Sequence, residues 1–194
     1  MIILAFRFDI KEFLKDKGKT IPLLGPYIQR FPWKKFTQYD KNEVFSLQWP
    51  QRTPFCEGKK TSTPEGFIAE LTVQHWFEKN DVNNHPNRAD FFQARSGLPK
   101  MLIIEEGDDS KKSFKRLHRW RYSPTACYGN NEVHLHPCFP RRISVAEALS
   151  VQSLPIEFEL PADMSLTNKF RLIGNGVPYL AAKGLAKSIK SFVN

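Results

Sequence analysis

Four residues of the types that bind zinc, Cys127, His134, His136 and Cys138, stand close together in the chain. Thiolates and imidazoles are ligands that zinc prefers. Their spacing, Cys-x6-His-x-His-x-Cys, matches no usual structural zinc site, so packing and hydrogen bonding are the expected roles and no metal is expected. Just upstream, Lys111-Lys-Ser-Phe-Lys-Arg-Leu-His-Arg-Trp-Arg121 places six Lys or Arg within eleven positions, with Phe114, His118 and Trp120 between them. Such cations neutralise phosphates and release counterions, and arginine forks read guanine edges in a major groove. The plainer reading is a solvated basic surface. Serine-hydrolase, P-loop and paired-carboxylate patterns are missing. Gly174-Asn-Gly176 lacks the third glycine and the preceding strand of a dinucleotide fingerprint. It reads instead as a helix-entry turn, with glycines permitting unusual backbone angles and Pro178 starting the helix.

The elements that must position these residues are short. Met1–Phe8 reads as a buried strand, nearly continuous in apolar residues. Residues 15–66 are rich in Lys, Pro, Gly and Thr and predict an irregular connection. Thr63-Pro64-Glu65 predicts a helix start, leading through Phe67, Ile68 and Leu71 towards Phe77 and ending in Asp81–Pro86. Met101–Ile104 predicts a strand, followed by a turn at Glu106-Gly107-Asp108. Ser123–Asn131 reads as strand and turn. Ser144-Val-Ala-Glu147 is a capping box, opening a helix over Val145 to about Gln152 with Val145, Ala148 and Leu149 inward. After Pro178, Leu180, Leu185, Ile189 and Phe192 recur at helical spacing, with Lys183, Lys187 and Lys190 outside.

The bulk properties agree with a polyanionic partner. The chain has 194 residues, 41% apolar, fourteen prolines and a formal net charge of +9. That balance favours nucleic acid or a membrane surface over an acidic substrate. Three cysteines without Cys-x-x-Cys spacing argue against a disulfide framework and for a reducing, cytoplasmic setting. The apolar start is broken by Arg7 and Asp9, too short for a signal-peptide core or a membrane span.

Two ordered segments carry a family resemblance. Arg141-Arg-Ile-Ser-Val-Ala-Glu-Ala-Leu-Ser-Val-Gln-Ser-Leu-Pro155 resembles the ninth conserved motif of DNA cytosine-5 methyltransferases. Lys169-Phe-Arg-Leu-Ile-Gly-Asn-Gly-Val-Pro178 resembles the tenth, and Glu157-Phe-Glu-Leu-Pro161 links them as in the family. Upstream, Arg116–Thr125 is similar to the family's segment ending in Ser-Pro-Thr, Leu135-His-Pro137 precedes the ninth motif as usual, and Asn84-His85-Pro86 is similar to the start of the recognition region. Met1–Arg7 looks like the strand after the eighth motif. Ala146 and Ser150 depart from the pattern, standing where arginine is frequent.

The resemblance implies an α+β fold: a small, irregular, β-rich target-recognition domain with short helices. An N-terminal strand and a C-terminal helix would complete a partner's Rossmann-like methyltransferase domain. It implies residues 1–14 as strand and catalytic-domain edge, 15–80 as connection, 81–160 as the recognition domain with the ninth motif, and 161–194 as the tenth motif and returning helix. It implies contact with double-stranded DNA by Arg116, Arg119, Arg121 and Thr125. Asn175, Gly176 and Val177 would line the S-adenosylmethionine pocket, and Arg142, Glu147 and Gln152 would be structural. Pro137-Cys138 is not the family's nucleophile, because the catalytic Pro-Cys lies far upstream of the ninth motif. No catalytic residue is expected here, since the cofactor loop, the catalytic Pro-Cys, Glu-Asn-Val and Gln-x-Arg-x-Arg are all absent from these residues.

The expected function is therefore the DNA-recognition portion of a DNA cytosine-5 methyltransferase of a restriction-modification system. Its chemistry would come from a partner subunit carrying motifs I to VIII. The rival is an inactive DNA-binding remnant of a truncated methyltransferase gene.

Overall fold

The computed structural model describes residues 31–193 except 112, 127 and 129–131, together with the two short strands at 23–24 and 27–28. The strand expected at Met1–Phe8 and the residue Cys127 lie outside the described residues. The chain forms two compact units, residues 41–180 and residues 1–40 with 181–194.

The larger unit is built from short helices. Helix α1 is Lys41–Ser46, and it buries none of its residues. A 3-10 turn at Ala69–Leu71 leads into α2, Val73–Lys79, which is N-capped by Thr72 accepting from the His75 N–H. The expected start at Thr63-Pro64 is thus corrected to Thr72. The reason is long-range: the orphan N–H groups of Val73 and Gln74 donate to the carbonyls of Arg121 and Arg119, at 3.0 and 2.9 Å. A second 3-10 turn, Pro86–Ala89, follows. Met101–Ile104, expected as a strand, instead lies in or borders helix α3, Leu98–Ile103. Pro99 sits in its first turn, where the missing N–H costs nothing, and Met101 is the residue it buries.

Helix α4, Val145–Val151, begins at Ser144 with both arms of the capping box formed. It buries every residue from Val145 to Ser150, more than the three-residue inward face expected, as befits a helix covered all round. Helix α5, Leu166–Asn175, was not foreseen; Ser165 caps it by accepting from the Asn168 N–H. The core joins Val73 and Phe77 of α2, Leu117, Val133 and Ile143, the apolar residues of α4, and Phe170 and Ile173 of α5.

The β-rich recognition domain is overturned. Among the described residues the only paired strands are β1, Leu23–Leu24, and β2, Tyr27–Ile28, which form an antiparallel pair. Elsewhere pairing is confined to single bridges, including Arg116 with Leu135 and Leu135 with Arg142. Two physical causes are visible. Pro137 and Pro140 offer no ladder N–H, and the carbonyls of Met101, Ile104, His136 and Phe139 accept from the Arg116 side chain. Ser123–Ala126, expected as strand, has no regular structure.

In the smaller unit, buried Phe31 packs on Trp33 and Phe192, with ring centroids 4.6 and 5.3 Å away. Phe192 lies on helix α6, Tyr179–Val193. Lys183, Lys187 and Lys190 of that helix are exposed, and Leu185, Ile189 and Phe192 are half-buried, as the helical spacing predicts; Leu180, expected on the same face, is exposed at 45% in the helix's first turn.

Candidate functional site

Glu147 stands at the centre of the larger unit, its side chain 4% exposed. It is placed by the capping box: its N–H donates to Ser144 Oγ at 3.2 Å, and its Oε2 accepts from the Ser144 N–H at 2.7 Å. The Arg141 guanidinium donates to both carboxylate oxygens, at 2.9 and 2.6 Å. Burial pushes the Glu147 pKa up, but Arg141 and the other donors outweigh it and hold the carboxyl below its usual range. Ser150, where the family often has arginine, donates to the Trp76 carbonyl at 2.5 Å and so fastens α4 to α2.

Two residues tie this helix to the segments on either side. Asp90 accepts the Val145 N–H on its carbonyl at 2.9 Å. Its Oδ2 accepts from Asn87 at 2.9 Å and from Lys169 Nζ at 2.7 Å, with the Lys169 side chain only 2% exposed. Asn87 in turn exchanges hydrogen bonds with the N–H and carbonyl of Leu160, both at 2.9 Å. The Asn84-His85-Pro86 region and the link between the two motifs are thereby one assembly. Gln152 reaches the other way: its Nε2 donates to the Ile173 carbonyl at 3.3 Å, and its own carbonyl accepts the Tyr179 N–H at 2.9 Å. Asp90, Asn87 and Lys169 were missed by sequence reasoning. No local pattern marks them, because the bonds of Asn87 to Leu160 and of Lys169 to Asp90 span more than 70 positions.

The basic stretch divides into buried and accessible residues. Arg116 is fully buried, donates to four backbone carbonyls and stacks over the Phe55 ring at 3.9 Å. Burial lowers its pKa to about 10. Arg119 is also buried; its Nε and Nη2 donate to Glu106 at 2.8 and 2.9 Å, and Nη1 to the Lys59 carbonyl. Burial lowers its pKa, but the bond to Glu106 outweighs that and raises it. Both were expected to touch DNA; their donors are spent inside the fold, so they brace the larger unit from within. Arg121 is half-buried and Thr125 is exposed. Arg142 is half-buried, its guanidinium 5.6 Å from the ring centroids of both Phe92 and Phe114.

The histidines of the Cys-His cluster are occupied. His136 Nδ1 accepts from the N–H groups of Cys138 and Phe139, both at 3.1 Å, which leaves the ring proton on Nε2, 3.5 Å from Glu147 Oε1. Burial brings His136 and His134 down to about 4. Cys138 Sγ lies 3.7 Å from His136 Nδ1, but a ring nitrogen holding two backbone donors is a poor acceptor of a thiol proton. Burial also pushes the thiol pKa up, away from nucleophilic character.

A family model for C-5 cytosine-specific DNA methylases matches residues 11–191. The chain belongs to that family. It is 55% identical over 166 residues to the type II methyltransferase M.NmeDI of Neisseria meningitidis serogroup C, a match covering 86% of this chain and 39% of that methylase. It is 49% identical over 57 residues to the putative type II methyltransferase M.OihORF3336P of Oceanobacillus iheyensis, covering 29% of this chain and 12% of the relative. It is 27% identical over 124 residues to M.AquIB of Picosynechococcus sp., covering 56% of this chain and 87% of that protein. This methylase chain thus spans well under half the length of the first two relatives. No solved structure matches it significantly.

C-5 cytosine-specific DNA methylases draw their methyl group from S-adenosylmethionine. Asn175, Gly176 and Val177 are exposed where α5 ends. The Gly176 N–H is taken up by the Ile173 carbonyl at 3.1 Å. Val177 presents an apolar side chain that is 65% exposed, and Leu172 on α5 is 49% exposed. An open backbone turn beside an unburied apolar side chain fits one wall of a pocket for a molecule with a flat apolar base. No described helix is long and apolar enough to cross a membrane.

Proposed function

We propose that this chain is the DNA-recognition portion of a DNA cytosine-5 methyltransferase that acts on cytosine within a specific sequence as part of a restriction-modification system. Residues 81–160 form the recognition region with the ninth motif, and residues 161–194 carry the tenth. Arg121 and Thr125 contact DNA. Glu147 and Gln152 hold the region in place. Asn175, Gly176 and Val177 line one side of the S-adenosylmethionine site, and the cofactor bound there supplies the methyl group. The nucleophile and the first eight motifs come from a partner polypeptide.

The observation that carries this reading is the coverage of the relatives. The chain matches 39% of the Neisseria methyltransferase but 87% of M.AquIB. A type II methyltransferase polypeptide made of little more than this region therefore exists, and the split arrangement applies the same division here. Quantifying 5-methylcytosine by mass spectrometry in DNA from co-expressing cells tests it. Methylation is expected when this chain is expressed with a polypeptide carrying motifs I to VIII, and none with either alone. Methylation by this chain alone would overturn the assignment of chemistry; none from the pair would favour an inactive DNA-binding remnant.

A further inference from the structure

Phe91, Phe92 and Phe114 line a cavity of about 640 Å3 in the larger unit, with Gln93, Arg95 and Arg142 also on its wall. Three features set this cavity apart. Arg142 is half-buried, yet its guanidinium has no carboxylate and no hydrogen-bond acceptor among the described residues; its contacts are the faces of Phe92 and Phe114. Its neighbours in charge differ: Arg116, Arg119 and Arg141 all spend their donors on carbonyls or carboxylates. Burial alone lowers the Arg142 pKa, the mark of a cation that gives up water without gaining an anion. The second feature is Phe114, whose φ of 61° is left-handed. A bulky residue rarely adopts that conformation, and such strain gathers at ligand clamps. The third is the cationic rim. Arg95 is exposed on the cavity wall, and Lys100 Nζ stands 4.9 Å from the Phe114 ring centroid.

We propose that Arg142, flanked by Phe92 and Phe114, forms with Arg95 a subsite that receives a phosphodiester group of the DNA backbone. This rests on the DNA-recognition reading above and adds to it a place and a chemistry. An arginine fork suits two phosphate oxygens at once. The rings fix the guanidinium plane before binding, so little side-chain entropy is lost when the anion arrives. A net charge of +9 favours DNA over an acidic protein as the source of that anion. A phosphate contact sets register on the duplex and carries no sequence information itself.

The test is the salt dependence of duplex binding by the full chain, read by fluorescence anisotropy on AT-rich and GC-rich duplexes. Arg142→Gln should weaken both equally, roughly fivefold, and reduce the slope of log affinity against log salt by about 0.9. Arg142→Lys should keep the slope and lose part of the affinity. Arg95→Gln, at an exposed position that cannot unfold the domain, should also flatten the slope and keeps the test open if Arg142→Gln fails to fold. Wild-type binding with unchanged affinity and slope in both glutamine variants would overturn the subsite alone. So would a loss confined to one base composition, or a loss of association with the catalytic polypeptide in place of DNA. Failure of the wild-type chain to bind any duplex would sink the recognition reading, and the subsite with it.

Discussion

The Arg141 guanidinium holds both oxygens of Glu147 across an uneven boundary: the arginine side chain is 24% exposed and the glutamate 4%. Removing either partner therefore has different consequences. Arg141→Ala strands a buried carboxylate and should cost about 3 kcal/mol. Glu147→Gln leaves an arginine that turns to water and a side chain still able to accept from the Ser144 N–H, and should cost about 1 kcal/mol. Urea unfolding of the two variants checks the order; equal losses would show that the pair is not the brace described.

Gly174 is required by contact. A Cβ there would lie 2.7 Å from both the N and the O of Tyr128, backbone atoms that cannot swing aside. Gly174→Ala should push α5 off this segment and lower stability by about 2 kcal/mol. Thermal denaturation measures it, and an unchanged Tm would refute the close approach.

Acid should unfold the protein through its histidines. His134 and His136 titrate near 4 in the fold and near 6.5 when unfolded. Between those values the unfolded chain holds the extra protons, so stability rises with pH. It should be complete above about 6.5 and fall on acidification by up to about 1.4 kcal/mol per pH unit for each histidine. Glu147, held below its usual range, extends the loss at lower pH in the same direction. Urea midpoints across this window, with His134→Gln flattening the curve, check the sign.

Arg116 should behave as a core residue. Arg116→Met leaves four carbonyls, three of them in buried bonds, without their donor and should cost more than about 3 kcal/mol. In whatever fraction folds at low temperature, the salt slope of DNA binding should equal that of the wild type. A reduced slope with full stability would return Arg116 to the DNA surface.

What the sequence revealed was local. Ser144 and Glu147 carry a capping signal within four residues, and the start of α4 follows from it. The Leu185, Ile189 and Phe192 spacing likewise specifies a helix face, although Leu180, read with them, is exposed. Met101–Ile104 failed because a short apolar run suits strand and buried helix alike; Pro99 was the overlooked cue, as Ser165 was for α5. The charge of Arg116 and Arg119 was legible, but their burial was not. It depends on carbonyls and a carboxylate 12 to 60 positions away, and no spacing rule reaches that far. Arg142 looked like its neighbours in sequence, and the absence of an acceptor for it among the described residues distinguishes it.

Gln152 anchors both sides of the Asn175–Pro178 turn, gripping the Ile173 carbonyl near the end of α5 through its side chain and the first N–H of α6 through its backbone. For anyone exchanging specificity between relatives, this places the seam. A chimera joined upstream of Ser144 carries Gln152 and both its partners together from one parent, so the clamp closes as a matched set. A chimera joined between residues 152 and 173 inherits the clamp from one parent and the turn from the other. The misfit would then fall on the surface proposed to meet the cofactor, although no residue there had been changed.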